Sequence, residues 1–233
     1  MKIALLGYGK MGKVIEKIAL ERGHEIVLKV GSSTTDFDIT KADIAIEFSI
    51  PSKAVENIQL CLNNQVPVVS GTTGWLEHYE AMKDLCHQKK GAFIYASNFS
   101  LGVNLFFELN TQLAKMMRKF KQYDACLEEI HHTQKLDAPS GTAITLAEQI
   151  IQNSDKTSWA LNPKNKEALR ITAKRIGNVP GTHSVFYTSE NDEIEIKHTA
   201  FNREGFAFGA LIAAEWLLHK KGVFTMKDVL NLS

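Results

Sequence analysis

The chain has 233 residues, 44% hydrophobic and 23% charged, with 27 basic against 26 acidic side chains for a formal net charge of +1. That suits a soluble protein of one large or two small domains, and the absence of any single-sign run argues against nucleic acid or an anionic membrane surface as the main partner. Cys61, Cys86 and Cys126 form no CxxC, the apolar start before Gly7 is too short for a signal peptide, and no apolar run reaches membrane-spanning length. A disulfide framework and a zinc ribbon are disfavoured, and the expected location is the cytoplasm.

Lys2 to Leu6 is an apolar run ended by Gly7-Tyr8-Gly9-Lys10-Met11-Gly12, and Val14, Ile15, Ile18, Ala19 and Leu20 follow at helical spacing. Glu25 to Val30 is a second, β-branched run. Strand, glycine turn, helix and strand at this spacing predict a dinucleotide-binding βαβ unit. In such a unit Gly7 permits the tight turn, Gly9 lets the backbone approach a pyrophosphate, and Gly12 allows close helix packing. After Val30 the chain reads Gly31-Ser32-Ser33, without the carboxylate that often holds a ribose 2′-hydroxyl. Ser32, Ser33 and Lys10 suit a 2′-phosphate, so the residues lean towards NADPH over NADH.

Alternation continues with a strand over 43–48, a helix over 51–63 opened by Ser49 and Pro51, a strand over 66–69, a helix over 76–89 and a strand over 92–96. Parallel strands put their carboxyl ends on one edge. Gly7–Gly12, Gly71-Thr72-Thr73-Gly74 and Ser97-Asn98-Phe99-Ser100 all fall there, which predicts a cofactor edge. Residues 101–120 predict a long helix with Leu105, Phe106, Leu109, Leu113, Met116 and Met117 on its apolar face, the methionines packing in the core.

A strand over 123–130 then delivers Glu129-Ile130-His131-His132-Thr133-Gln134-Lys135-Leu136-Asp137-Ala138-Pro139-Ser140-Gly141-Thr142-Ala143. Apolar residues at 143, 144, 146, 147, 150 and 151 mark a helix, with Ser140 or Thr142 as its cap. Two imidazoles and an ammonium beside a helix N-terminus predict a site for an anion, most simply a carboxylate. On an extended strand His131 and His132 would point to opposite faces, so both reach one ligand only if the strand has ended by His132. Residues 153–166 read as a surface loop or crossover. Strands over 169–176, 182–189 and 193–200 predict a second, mixed sheet, with the last two joined by a hairpin. His183 and His198 on these strands read as ordinary packing residues. A helix over 206–219 and a short tail over 224–230 end the chain, and Arg203-Glu204-Gly205 is a candidate hinge.

On these residues the chain resembles the dihydrodipicolinate (4-hydroxy-tetrahydrodipicolinate) reductase family over nearly its full length. The most specific match is Glu129-Ile130-His131-His132 through Lys135 and Asp137 to Ala143. Gly7–Gly12, Gly71–Gly74, Asn98–Ser100 with Gly102-Val103-Asn104, and 175–181 support it. The resemblance implies an α/β fold: an N-terminal Rossmann dinucleotide-binding domain, residues 1–101 with 204–233, and an α+β domain, residues 102–203, whose mixed sheet binds substrate and forms a homotetramer. It implies NAD(P)H-dependent reduction of a small cyclic dicarboxylate imine in diaminopimelate and lysine synthesis, without a metal. His131 would be the acid/base residue and Lys135 the proton donor. His132, Lys135, Ser140, Gly141 and Thr142 would hold the substrate. Gly7, Tyr8, Gly9, Lys10, Met11, Gly12, Ser32 and Ser33 would bind the cofactor, with Gly71–Thr73 (Gly71, Thr72, Thr73) and Ser97, Asn98 and Phe99 on its nicotinamide side. The loop over 31–41 is shorter than in longer members and lacks the Glu-Arg pair that some use at the adenosine ribose, so cofactor choice stays open.

Competing readings are another two-domain dehydrogenase or a non-enzymatic cofactor sensor. A metal hydrolase is the third, and it is disfavoured because adjacent His131 and His132 lack the i, i+4 helical spacing of a shared metal site.

Overall fold

Ile3, Ala4, Leu5 and Leu6 are each at most 1% exposed, which a strand reaches only when both of its faces are covered. In the computed structural model, which describes residues 1–232 apart from 162, 164 and 166, this strand is β1 (Lys2–Leu6). It lies within a six-stranded sheet with β2 (Glu25–Val30), β3 (Ile44–Glu47), β4 (Val68–Ser70), β5 (Ala92–Tyr95) and the last strand of the chain, β11 (Gly222–Phe224). The order is β2-β1-β3-β4-β5-β11 and every pairing is parallel. Strand order reverses between β1 and β3, the switch point outside which ligands bind in open parallel sheets.

Ile3 and Leu5 point into one apolar layer with Ile15 and Ala19 of α1 (Lys10–Glu21) and Ala207, Ala210, Leu211, Ala214 and Leu217 of α6 (Glu204–Leu217). Ala4 and Leu6 point into the opposite layer with Ala54, Ile58, Cys61 and Leu62 of α2 (Pro51–Asn63) and Met82 and Cys86 of α3 (Tyr79–Gln88). This unit comprises residues 1–101 and 203 onward.

The second unit, Gly102–Asn202, carries a five-stranded sheet in the order β10-β9-β6-β8-β7. Its strands are β6 (Asp124–His131), β7 (Ser158–Ala160), β8 (Ala168–Arg175), β9 (Gly181–Thr188) and β10 (Glu193–Ala200). The pairs β9/β10 and β6/β9 are antiparallel, and β6/β8 and β7/β8 are parallel. The sheet is mixed, as expected. Leu127, Leu169, Ile171 and Val185 pack on Phe106 of α4 (Leu101–Met117) and on Leu146, Ala147 and Ile150 of α5 (Gly141–Gln152).

Several expectations are corrected. The inward face of α4 runs through Val103, Phe106, Asn110 and Ala114, whereas Leu105, Leu109 and Met116 are 52%, 52% and 67% exposed. The helix is apolar on more than one side, and the side that packs contains a polar residue: Asn110 Nδ2 donates to Leu146 O at 3.1 Å and Gln149 Oε1 at 2.9 Å. Two strands of three residues were not expected, since so short a strand shows no periodicity: β7 falls in the stretch read as a loop, and β11 lies ahead of the tail and meets it only at Phe224. The part of the expected loop at 162, 164 and 166 lies outside the described residues. A short α-helix, α7 (Met226–Leu230), follows β11 and is held by a capping box between Thr225 and Asp228.

Candidate active site

At the first unit's carboxyl edge the glycine turn is shaped by close backbone approach. Gly7 has φ +102, and a Cβ there would lie 2.1 Å from Phe48 O. A Cβ on Gly12 would lie 2.5 Å from Gly7 O, so the helix packs on the turn itself. A Cβ on Gly9 would meet nothing within 4 Å, so the space above it is open. Gly9 also caps α1, which has no acidic residue in its first turn and no side-chain cap. Open space, N–H groups and a positive dipole end make a cradle that fits a dinucleotide pyrophosphate.

Val30 O accepts from Gly7 N and Tyr8 N, both at 2.9 Å, which brings the end of β2 and the exposed Ser32 and Ser33 to the same turn. Glu16 is engaged by Tyr8 Oη and Lys29 Nζ, and Asp38 accepts from the Thr40 amide at 3.0 Å. The third strand leads into Phe48, a residue that sequence reasoning passed over. Phe48 packs its ring where a Gly71 side chain would lie, 2.3 Å away, and pairs with the Phe99 ring at 5.8 Å. Phe99 is fixed in turn by α6, whose Gly209 could not carry a Cβ without meeting Phe99 O at 1.8 Å.

In the second unit β6 ends at His131, and a turn from His132 closes with Lys135 N donating to His132 O at 3.1 Å. The strand has therefore ended by His132, the condition for both imidazoles to reach one ligand. Lys135 Nζ holds both oxygens of Asp137, at 2.7 and 2.8 Å, which lowers the Asp137 carboxyl. Ser140, not Thr142, caps α5, its Oγ accepting from Ala143 N at 3.2 Å. Beneath the loop lies Glu129, fully buried. Its Oε2 accepts from Ser140 N at 3.0 Å, and its Oε1 accepts from Arg175 Nη2 at 3.1 Å. Arg175 also donates to Asp137 O at 2.6 Å and Lys135 O at 3.3 Å, so one guanidinium ties the whole loop to the carboxylate. Burial acts to raise Glu129, but the nearby His183 imidazole, hydrogen bonding from Ser140 and the charge of His131 outweigh it and hold the carboxyl at about 2.

His183 was expected to be a plain packing residue. Instead its Nε2 lies 3.1 Å from Ser140 Oγ and 3.7 Å from Glu129 Oε2, and its ring meets that of His131 edge-on at 5.1 Å. His131 is 7% exposed, and its Nδ1 has no hydrogen-bond partner though Glu129 Oε2 is 3.5 Å away. Burial first, then the charge of His183, push His131 down to about 4 against the opposing pull of Glu129. His198 does pack, 6.1 Å from the Phe106 ring. Glu129, His131 and His183 bring one ligand atom each within 4.8 Å of one another. Oε2, the Glu129 oxygen nearer both imidazoles, already accepts from the Ser140 amide, and Oε1 accepts from Arg175, so the cluster is knit to the protein's own donors.

Comparison with known proteins agrees with this architecture. Residues 1–99 match the family model "dihydrodipicolinate reductase, N-terminus", and residues 102–230 match "dihydrodipicolinate reductase, C-terminus". A 4-hydroxy-tetrahydrodipicolinate reductase of Christiangramia forsetii is 55% identical over 99% of this chain and 98% of its own. One from Thermosipho africanus is 35% identical over the same shares of each chain. The chain belongs to the dihydrodipicolinate reductase family. The solved dipicolinate-bound dihydrodipicolinate reductase from Paenisporosarcina sp. TG-14 shares the fold, with TM-score 0.77 at 22% identity over 97% of each chain.

Membership makes the chain an oxidoreductase that works with a nicotinamide cofactor. Within this reductase, Gly7 to Gly12, Ser32, Ser33, Gly71 to Thr73 and Ser97 to Phe99 are gathered at one sheet edge. His131, Lys135 and Ser140 are gathered over Glu129, with the half-buried His132 at the turn and Gly141 and Thr142 opening α5. Sequence reasoning missed Glu129, Arg175 and His183 as members of this cluster, and Glu47, Phe48 and Ser49 at the first edge. Arg175 opened a segment quoted for the family match, which was the available signal. Glu129 likewise opened the most specific stretch of that match, Ser49 was read only as opening a helix, and His183, Glu47 and Phe48 lie inside strands or just after them and carry no local mark.

Proposed function

We propose that this chain catalyses the NAD(P)H-dependent reduction of 4-hydroxy-2,3,4,5-tetrahydrodipicolinate to tetrahydrodipicolinate, a step of diaminopimelate and L-lysine synthesis in the cytoplasm. The observation that carries the proposal is the 55% identity with a curated reductase over 99% of the chain. Among the described residues no helix is long and apolar enough to cross a membrane.

The first unit, residues 1–101 with the C-terminal segment, would hold the cofactor, which supplies a hydride when bound. Gly7, Tyr8, Gly9, Lys10, Met11 and Gly12 would take the pyrophosphate, and Gly71, Thr72, Thr73, Ser97, Asn98 and Phe99 would line the nicotinamide side. In the second unit one substrate carboxylate would exchange with Asp137 for the Lys135 ammonium, assisted by His132. The other would sit on Ser140 and on the Gly141 and Thr142 amides at the first turn of α5. The reaction takes one hydride and one proton and releases water. A histidine with a pKa near 4 is uncharged at neutral pH and carries no imidazolium proton to give, so the proton the reaction consumes is donated by Lys135, with His131 the neutral acid/base group beside it.

The lean to NADPH rests on Ser32 and Ser33 with no carboxylate at the end of β2, and on Asp38 being turned into its own loop. A homotetramer through the second unit's sheet is part of the same proposal, with molar mass by light scattering as its measurement. The reaction itself is tested by generating the substrate in place from pyruvate and aspartate semialdehyde with the preceding synthase. Loss of NADPH and NADH absorbance is then followed separately. Substrate-dependent oxidation is expected, faster with NADPH. Folded protein that oxidises neither cofactor would leave another reductase or a cofactor sensor.

A further inference from the structure

β3 ends on an acid at the centre of the first sheet. Glu47 is fully buried and sits in register beside Leu6 of β1 and Ser70 of β4, at the switch point. A carboxylate in such a place is tolerated only when its lone pairs are filled. Oε1 accepts from Ser49 N at 2.9 Å, from Thr72 Oγ1 at 2.8 Å and from the Ser49 hydroxyl, and Oε2 accepts from Ser70 Oγ at 2.6 Å. Every one of these donors is neutral, and they come from three places: the loop after β3, the end of β4 and the loop after β4. Ser49 N is shared with Thr72 Oγ1 at 2.8 Å, and Asn57 of α2 reaches Ser49 Oγ at 3.2 Å. The Glu47 carbonyl adds a bond from Gly71 N at 2.9 Å, and Phe48 N returns to Leu6 O at 2.8 Å.

The residue held between these bonds is Phe48, whose carbonyl abuts Gly7 and whose ring abuts Gly71 and Phe99. All three loops of the cofactor edge therefore rest on the stretch that the Glu47 carboxylate fastens. An apolar side chain would fill the same volume in the core. It would leave the Ser70 and Thr72 hydroxyls without this acceptor, and Ser49 would keep only its amide bond to Thr72 Oγ1 and a long hydroxyl contact with Ile50 O. The choice of an acid is explained by the loops, not by the sheet.

We infer that Glu47 is a positioning residue for the nicotinamide cofactor, acting through Ser49, Ser70 and Thr72 to set the loops that line the cofactor edge. The inference rests on the function proposed above. Its test compares wild type, Glu47→Gln, Ser70→Ala and the double variant, titrating NADPH and NADH by fluorescence and recording thermal midpoints and steady-state kinetics. Gln keeps the volume but offers a single acceptor oxygen. The dissociation constant and KM for the cofactor should each rise about tenfold in Glu47→Gln, kcat changing far less. Ser70→Ala should weaken the cofactor in the same direction, and the double variant should be little worse than Glu47→Gln alone, because both act through one network. Cofactor affinity unchanged while the thermal midpoint falls would reduce Glu47 to a core residue and overturn the inference. Additive losses would overturn the shared network. Should Glu47→Gln not fold, wild-type affinity in Ser70→Ala overturns the inference equally. Wild-type protein that binds neither NADPH nor NADH would sink the proposed function itself, a result distinct from any of these.

Discussion

At the scale of single residues, Lys135 is the group on which turnover should depend most. Its side chain is 21% exposed, and its ammonium already grips a carboxylate, that of Asp137, in a bidentate contact. Lys135→Ala should lower kcat by about 10²–10³-fold, the usual size of a lost positioned proton donor. Steady-state rates beside a fluorescence titration of NADPH check this, the affinity being expected to hold; turnover within a few-fold of wild type would take Lys135 out of the chemistry. Gly9 makes a different case. Its φ is negative, −94, and a methyl there touches no protein atom. Gly9→Ala should therefore leave the thermal midpoint in place and weaken cofactor binding about tenfold, since the methyl enters the ligand's space. Gly7→Ala, which drives a Cβ onto Phe48 O at 2.1 Å, should instead fail in stability. The glycine turn was legible in sequence because its meaning lies in local spacing. The partners of Glu129 were not: Arg175 is 46 residues away and the Ser140–His183 contact spans 43, so only the register of β6 with β8 and β9 reveals them.

At the scale of elements, a strand that stops at His131 and a helix capped by Ser140 share one buried acid. Glu129 and His131 both titrate so that acid weakens the fold. Glu129 lies at about 2, below its ordinary 4.5, so its contribution is complete above pH 4.5 and is lost as pH falls through 2. His131 lies at about 4, below its ordinary 6.5; the folded state resists protonation, and stability is lost as pH falls from 6.5 towards 4. Unfolding free energy from urea titrations should accordingly decline by on the order of 2 kcal/mol between pH 7 and pH 4.5. His131→Gln should flatten that decline, and an unchanged slope in the variant would place its source elsewhere. Element types and order were largely readable from period alone. Which face of α4 turns inward was not, because Asn110 is buried for its hydrogen bonds to α5 and no hydrophobic count selects it.

At the scale of the whole molecule, the first unit is discontinuous in sequence. Residues from Arg203 onward return to it, α6 supplying Ala207, Ala210, Leu211 and Leu217 to one of its layers and β11 pairing with β5. A chain ending at Asn202 should lose cofactor binding and expose apolar surface, seen as dye binding and aggregation, while the isolated 102–202 segment keeps its own core. Cofactor affinity surviving the truncation would contradict the packing described.

The same β11 has a bearing on how the protein is made. A ribosome delivers residues from the N-terminus onwards, so β5 emerges early with one hydrogen-bonding edge unpaired, and it waits for the second unit to be synthesised before Gly222–Phe224 arrives to cover it. The second unit is complete at Asn202 and is free to fold while its neighbour is still missing a strand. The order of maturation thus inverts the order of the sequence, and the nascent chain's exposure to misassociation is set by the time needed to translate from Tyr95 to Phe224.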